Sequence, residues 1–145
     1  MGDEVDGPAA MAQRLADATN ARDIDALVAC FADDYVNETP IHPARGFRGR
    51  VQVRSNWEQI FAFVPDLKVA VLRCAVDGDV AWTEWEMRGT RRDGTAHHLC
   101  GVILFGVLDG RAAWARFYLE PVDESSASVG DAVRAQVVRE TAVAS

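Results

Sequence analysis

His42 stands in the loop Pro40-Ile41-His42-Pro43, just after a short polar segment that holds Tyr35, Asn37 and Thr39. Histidine titrates near neutrality without help, so His42 is the leading candidate to move a proton. Asn37 and Thr39 are two residues apart and so share one face of a strand, with Tyr35 two residues earlier. A carboxamide and a hydroxyl placed there can hold a substrate carbonyl or hydroxyl oxygen. The plainer alternative puts His42 on a solvated loop and leaves Asn37 and Thr39 to satisfy loop backbone. His97 enters from the start of a later strand, while its neighbour His98 points to the opposite face, so the two cannot share a metal. Cys30, Cys74 and Cys100 contain no C-x-x-C pair and read as small buried hydrophobes in a reducing compartment. No metal site and no cofactor are expected.

Three helices and a meander must position these groups. Met11, Leu15 and Ala18 recur at helical spacing after Gly7-Pro8. Asp23 is a natural N-cap for a second helix carrying Ile24, Leu27, Val28 and Phe31. Val53, Trp57, Ile60, Phe61 and Val64 form the stripe of a third, which Pro65 stops. Beyond Pro65 the period changes to two. Asp77-Gly78, Asp93-Gly94 and Asp109-Gly110 lie sixteen residues apart, and Asp-Gly between alternating segments is a strong hairpin signal. The spacing predicts four antiparallel strands over 68–76, 80–89, 95–108 and 111–121. Gly101 and Gly106 would let the long third strand bend.

The two faces of this sheet differ. Ala81, Thr83, Trp85 and Met87, with Ala113, Ala115, Phe117 and Leu119, form the face expected to pack on the helices. Trp82, Glu84, Glu86 and Arg88, with Trp114, Arg116, Tyr118 and Glu120, form the other. Aromatics and arginine beside charge are typical of interfaces, so a homodimer is expected through Trp82, Glu84, Trp114, Arg116 and Tyr118. A one-residue slip would instead turn Glu84, Glu86 and Glu120 inward, burying three carboxylates. The inward face predicts an apolar pocket lined by Leu15, Trp57, Phe61, Trp85, Ile103 and Met87. Phe117, Leu119 and Thr83 join it, and Tyr35 and His97 sit towards its mouth.

The chain has 145 residues and a formal net charge of −7, with Lys68 its single lysine. That size fits one domain, placed at 9–122, followed by a polar linker and weakly helical tail at 123–145. The acidic balance argues against a nucleic-acid partner. The longest stretch free of Asp, Glu, Lys and Arg, 95–108, is too short to span a membrane. The acidic segment Met1–Asp6 is unlike a signal peptide, and a cytoplasmic location is expected.

The order of elements resembles the nuclear transport factor 2-like superfamily, which includes ketosteroid isomerases, limonene epoxide hydrolases and SnoaL-like polyketide cyclases. The resemblance covers Met11 to Pro121. It rests on Asp23-Ile24-Asp25-Ala26-Leu27, Phe31-Ala32-Asp33-Asp34-Tyr35-Val36, Gly46-Phe47-Arg48-Gly49, Val64-Pro65-Asp66-Leu67 and Asp109-Gly110-Arg111. It implies an α+β fold, a cone-shaped curved antiparallel sheet packed against three N-terminal helices. It also implies that catalytic groups line the cone. The isomerases carry a basic aspartate just before the proline that follows the short strand, where this chain has Thr39. Their oxyanion donors correspond to Leu15 and Gly101. The epoxide hydrolase relay falls on Trp85, Met87 and Phe117, and the cyclase carboxylate falls near Phe117 and Leu119. Two expectations follow. One is a cofactor-independent acid/base enzyme of isomerase, cyclase or hydrolase type, with His42, Asn37 and Thr39 acting on an apolar, polycyclic or polyketide-like substrate. The other is a non-catalytic module of the same fold that binds an apolar ligand or dimerises.

Overall fold

A computed structural model describes residues 7–144, with side chains described as far as Val138; Met1–Asp6 and Ser145 lie outside the described residues. Helix α1 (Pro8–Ala21) opens with proline at its first position, where the missing N–H costs nothing. Helix α2 (Ile24–Ala29) is capped by Asp23, whose carboxylate accepts from the Ala26 N–H at 3.0 Å. Strand β1 (Phe31–Glu38) follows directly, and a 3-10 turn (Pro43–Arg45) leads to the short β2 (Phe47–Arg48). Helix α3 (Arg50–Phe63) ends before Pro65. The meander is β3 (Lys68–Asp77), β4 (Val80–Thr90), β5 (Ala96–Leu108) and β6 (Arg111–Pro121). Helix α4 (Val129–Ala144) closes the chain, and its described side chains are exposed. None of the described helices is long and apolar enough to cross a membrane.

The strands form one six-stranded sheet in the order β2-β1-β6-β5-β4-β3. Only β1 and β6 run parallel, which tucks the polar end of β1 beside the end of the meander. The sheet is open and curved, and bulges mark the bends: Leu72 is unpaired between Val71 and Arg73, and Ala113 between Ala112 and Trp114. Asp109 and Gly110 both take positive φ, as a tight hairpin between right-twisted strands requires. The core lies between the concave face and α1 to α3, around Met11, Leu27, Tyr35, Trp85 and Phe105. Asn20 fastens α1 to β3 with a paired contact, its amide donating to the Val69 carbonyl at 2.9 Å and accepting from the Val69 N–H at 2.8 Å.

Three local expectations are corrected. Phe31 does not extend the second helix; the helix stops at Ala29 and Phe31 begins β1. Of the three cysteines expected to be buried, Cys30 is buried, whereas Cys74 is exposed and Cys100 half-buried. In β6 the bulged residue is Ala113, so Ala112 takes the buried place on the concave face, because one inserted residue inverts the alternation before it. Ala115, Phe117 and Leu119 keep the inward orientation expected of them, and the slip that would bury Glu84, Glu86 and Glu120 does not occur.

Candidate active site

A cavity of about 260 Å³ opens between α3, β1 and the concave face of the meander. Helix α3 supplies Val53, Asn56, Trp57 and Ile60 from successive turns of one side. Strand β1 supplies Phe31, Tyr35 and Asn37, every second or fourth residue, so that one strand face becomes one wall. Met87, Leu99, Phe117 and Leu119 form the floor, and Phe47 closes the side. Aromatic edges brace the walls: Tyr35 meets Phe31 at 4.7 Å and Phe47 at 6.0 Å between centroids, and Trp57 meets Phe61 at 5.7 Å.

Few polar groups face this apolar space. The Tyr35 hydroxyl donates to the Asn37 carboxamide oxygen at 2.6 Å in a buried pair. Burial pushes the Tyr35 phenol far above its ordinary value, so it is a neutral donor at physiological pH. The Thr39 hydroxyl is buried at the cavity wall without a hydrogen-bond partner. Such a group costs stability unless something supplies its partner. Asn56 accepts from Gln52 at 2.7 Å. Arg45, from the 3-10 turn, lines the mouth, and no carboxylate among the described residues pairs with it. His97 completes the set. Partial burial, aided by the Arg91 charge, moves its imidazole below the ordinary histidine value, which leaves it neutral and able to accept a proton.

A family model for the SnoaL-like domain matches residues 12–138, most of the chain. The chain belongs to the SnoaL-like domain family. With it comes membership of the nuclear transport factor 2-like superfamily. Solved structures share the fold. A Catenulispora acidiphila protein with a ketosteroid isomerase-like fold, in complex with trimethylamine, superposes with a TM-score of 0.67 at 17% identity, covering 77% of this chain and 86% of that one. IdmH of Streptomyces antibioticus, a candidate polyketide cyclase, gives 0.68 at 23% identity, covering 78% and 91%. A candidate ketosteroid isomerase from Kribbella flavida gives 0.64 at 23% identity, covering 89% and 85%. No curated protein sequence matches the chain.

In this SnoaL-like chain eight of the residues expected around the pocket do line it: Tyr35, Asn37, Thr39, Trp57, Met87, His97, Phe117 and Leu119. Leu15, Thr83, Trp85 and Ile103 are buried in the core instead, and Phe61 packs behind Trp57. Thr83 donates to the Ile103 carbonyl and accepts from the Trp85 indole N–H, each at 2.7 Å, so the polar atoms of that group are already used. His42 does not line the cavity. Its Nε2 lies 2.8 Å from Glu120, which alternates with Leu119 onto the convex face of the sheet. Gly101 carries no donor and has no room for one: a Cβ there would lie 2.0 Å from the Tyr118 carbonyl oxygen. Sequence reasoning missed Arg45 and Asn56. Asn56 lies one residue before Trp57, and the helical period of α3 gives a signal for it; Arg45 depends on the path of an irregular loop and has none.

Proposed function

We propose that this SnoaL-like protein is a cofactor-independent acid/base enzyme of isomerase or cyclase type, acting on an apolar, polycyclic or polyketide-like substrate in the cavity. The observation that carries the reading is the His97 imidazole opening onto an apolar space shared with Asn37 and the unpartnered Thr39 hydroxyl. In this reading His97 removes a proton from one carbon of the substrate and, as the imidazolium so formed, returns it to the substrate. Asn37 and Thr39 hold the substrate oxygen, and Arg45 at the mouth offsets the negative charge that grows on it. The fold shared with candidate polyketide cyclases and isomerases supports the reaction class, and the apolar lining supports the substrate class.

The decisive experiment begins with thermal unfolding against polycyclic ketones, anthraquinone-like polyketides and terpene epoxides. A ligand at 100 times its Kd adds about 2.7 kcal/mol of stability. Turnover of each stabilising compound is then compared in His97→Gln and His42→Ala. Loss of a general base should cost about 10²–10⁴-fold. His97→Gln should lose that much and His42→Ala little; the reverse pattern would return the proton transfer to His42. A second reading is favoured by Leu15 and Gly101, the places to which the resemblance assigns the oxyanion donors of ketosteroid isomerases: the cavity binds an apolar ligand without turnover. Binding without any chemical change across the panel would support it. We also propose a homodimer through the convex face, where Trp82 is 51% exposed beside Glu84, Trp114, Arg116 and Tyr118.

A further inference from the structure

The convex face carries a second group of reactive side chains that the cavity does not use. Glu86 on β4 lies directly opposite Cys100 on β5, and Arg88 lies opposite His98. Glu86, His98 and Cys100 therefore alternate onto the same face and converge. The Cys100 sulfur is 3.6 Å from His98 Nε2 and 3.8 Å from Glu86 Oε2, and His98 Nε2 is 2.8 Å from the same carboxylate oxygen. We propose that Glu86, His98 and Cys100 form a binding site for a borderline-soft divalent cation of the zinc class.

The geometry supports this in detail. Zinc binds sulfur at about 2.3 Å, imidazole nitrogen at about 2.0–2.1 Å and carboxylate oxygen at about 2.0–2.2 Å, in tetrahedral sites. Those lengths place sulfur about 3.6 Å from nitrogen and from oxygen, and nitrogen about 3.4 Å from oxygen. The two distances from sulfur already fall within a few tenths of an ångström of these values. Only the histidine–carboxylate pair is too close, because a shared proton now holds it; a cation that replaces that proton needs the two atoms to part by about 0.6 Å. Thiolate, imidazole and carboxylate together suit zinc better than the hard cations magnesium and calcium, which prefer oxygen. Arg88 donates to the same Glu86 oxygen at 2.9 Å, and its largely exposed side chain is free to swing aside. On β6 Glu120 lies opposite Cys100, with its carboxylate held by His42 at 2.8 Å. The site ties β4 to β5 on the side of the sheet away from the cavity, so its existence is independent of the proposed reaction.

Sequence spacing hides this group. The ligands come from positions 86, 98 and 100, and only the hairpin register unites them. The experiment uses the whole chain, stripped with chelator and titrated with cobalt(II) as a spectroscopic stand-in for zinc. A thiolate-to-cobalt charge-transfer band should rise to one equivalent per chain, and zinc should abolish it. Cys100→Ser and His98→Gln should each weaken binding at least tenfold, while Cys74→Ser, which alters an exposed thiol on β3, should leave it unchanged. In the unmutated protein, zinc should protect Cys100 from alkylation and leave Cys74 reactive, so the answer does not depend on how a variant folds. Absence of the band, a band that survives Cys100→Ser, or equal alkylation of Cys100 with and without zinc would overturn the proposal.

Discussion

Replacing Thr83 by valine tests how the concave face is held. Thr83 is fully buried, donates to the Ile103 carbonyl and accepts from the Trp85 indole, each at 2.7 Å. Valine has nearly the same shape, so the packing change is small and the hydrogen bonds dominate. Leaving the Trp85 N–H buried and unpaired costs about 1–3 kcal/mol, and losing the bond to the carbonyl about 1 kcal/mol. An added buried methyl returns about 0.8 kcal/mol. The net loss is then about 1–3 kcal/mol, and for a domain of this size each kcal/mol lowers Tm by roughly 3–4 °C. Urea unfolding measures it, with the slope m expected to hold constant. A double-mutant cycle with Trp85→Phe isolates the cause. Phenylalanine has no N–H to strand, so Trp85→Phe should cost about 1 kcal/mol less in the Thr83→Val background than alone. A Thr83→Val loss below about 0.5 kcal/mol, or strict additivity in the cycle, would refute the reasoning.

Tyr35→Phe removes the buried donor to Asn37; it should cost about 1 kcal/mol in urea unfolding and weaken any ligand whose oxygen Asn37 positions. Asp66 accepts from the Thr90 N–H at 2.6 Å, a bond that holds its carboxyl below the ordinary aspartate range. Its stabilisation is present above pH about 4 and is lost as pH falls through the lowered value. Asp66→Asn should therefore be less stable than the unmutated protein at pH 7, and the gap should narrow at pH 3 in paired urea melts. Trp82→Glu places a second acid beside Glu84 on the convex face; light scattering should show the proposed dimer dissociating to monomers, with the unfolding midpoint at high dilution unchanged.

The fold is legible in the sequence where one signal determines one element. Three evenly spaced Asp-Gly pairs mark the turns of a meander, and in the third both residues take the positive φ that the turn demands. The stripe Val53-Trp57-Ile60 marks α3 and its inward side. Phe31 misleads because an apolar residue at helical spacing is equally at home as the first inward residue of a strand, and strand pairing with β6 decides the matter. Ala113 misleads because a bulge leaves no mark in an alternation of alanines. Half of the site is legible for the same reason that the strands are: Tyr35, Asn37, Phe117 and Leu119 follow from strict alternation. Direction within loops is not. His42 turns to Glu120 and Arg45 to the cavity, although both belong to one irregular segment between β1 and β2. Trp85 and Ile103 fall in the core and not the pocket because periodicity assigns a face but not a depth along it; α1 covers their part of the sheet and leaves the part near Met87 open.

Gly101 has a consequence for redesign. Its backbone, at φ 151°, passes so close to β6 that even a methyl group would strike the Tyr118 carbonyl oxygen. No single substitution at that position can install an acid to stabilise an enolate, because every such variant must first push two paired strands apart. New catalytic groups in this cone have easier points of entry at Leu99 and Leu119, which already project side chains into the cavity. An engineer seeking isomerase chemistry would start on those two strands from their leucines and leave the glycine in place.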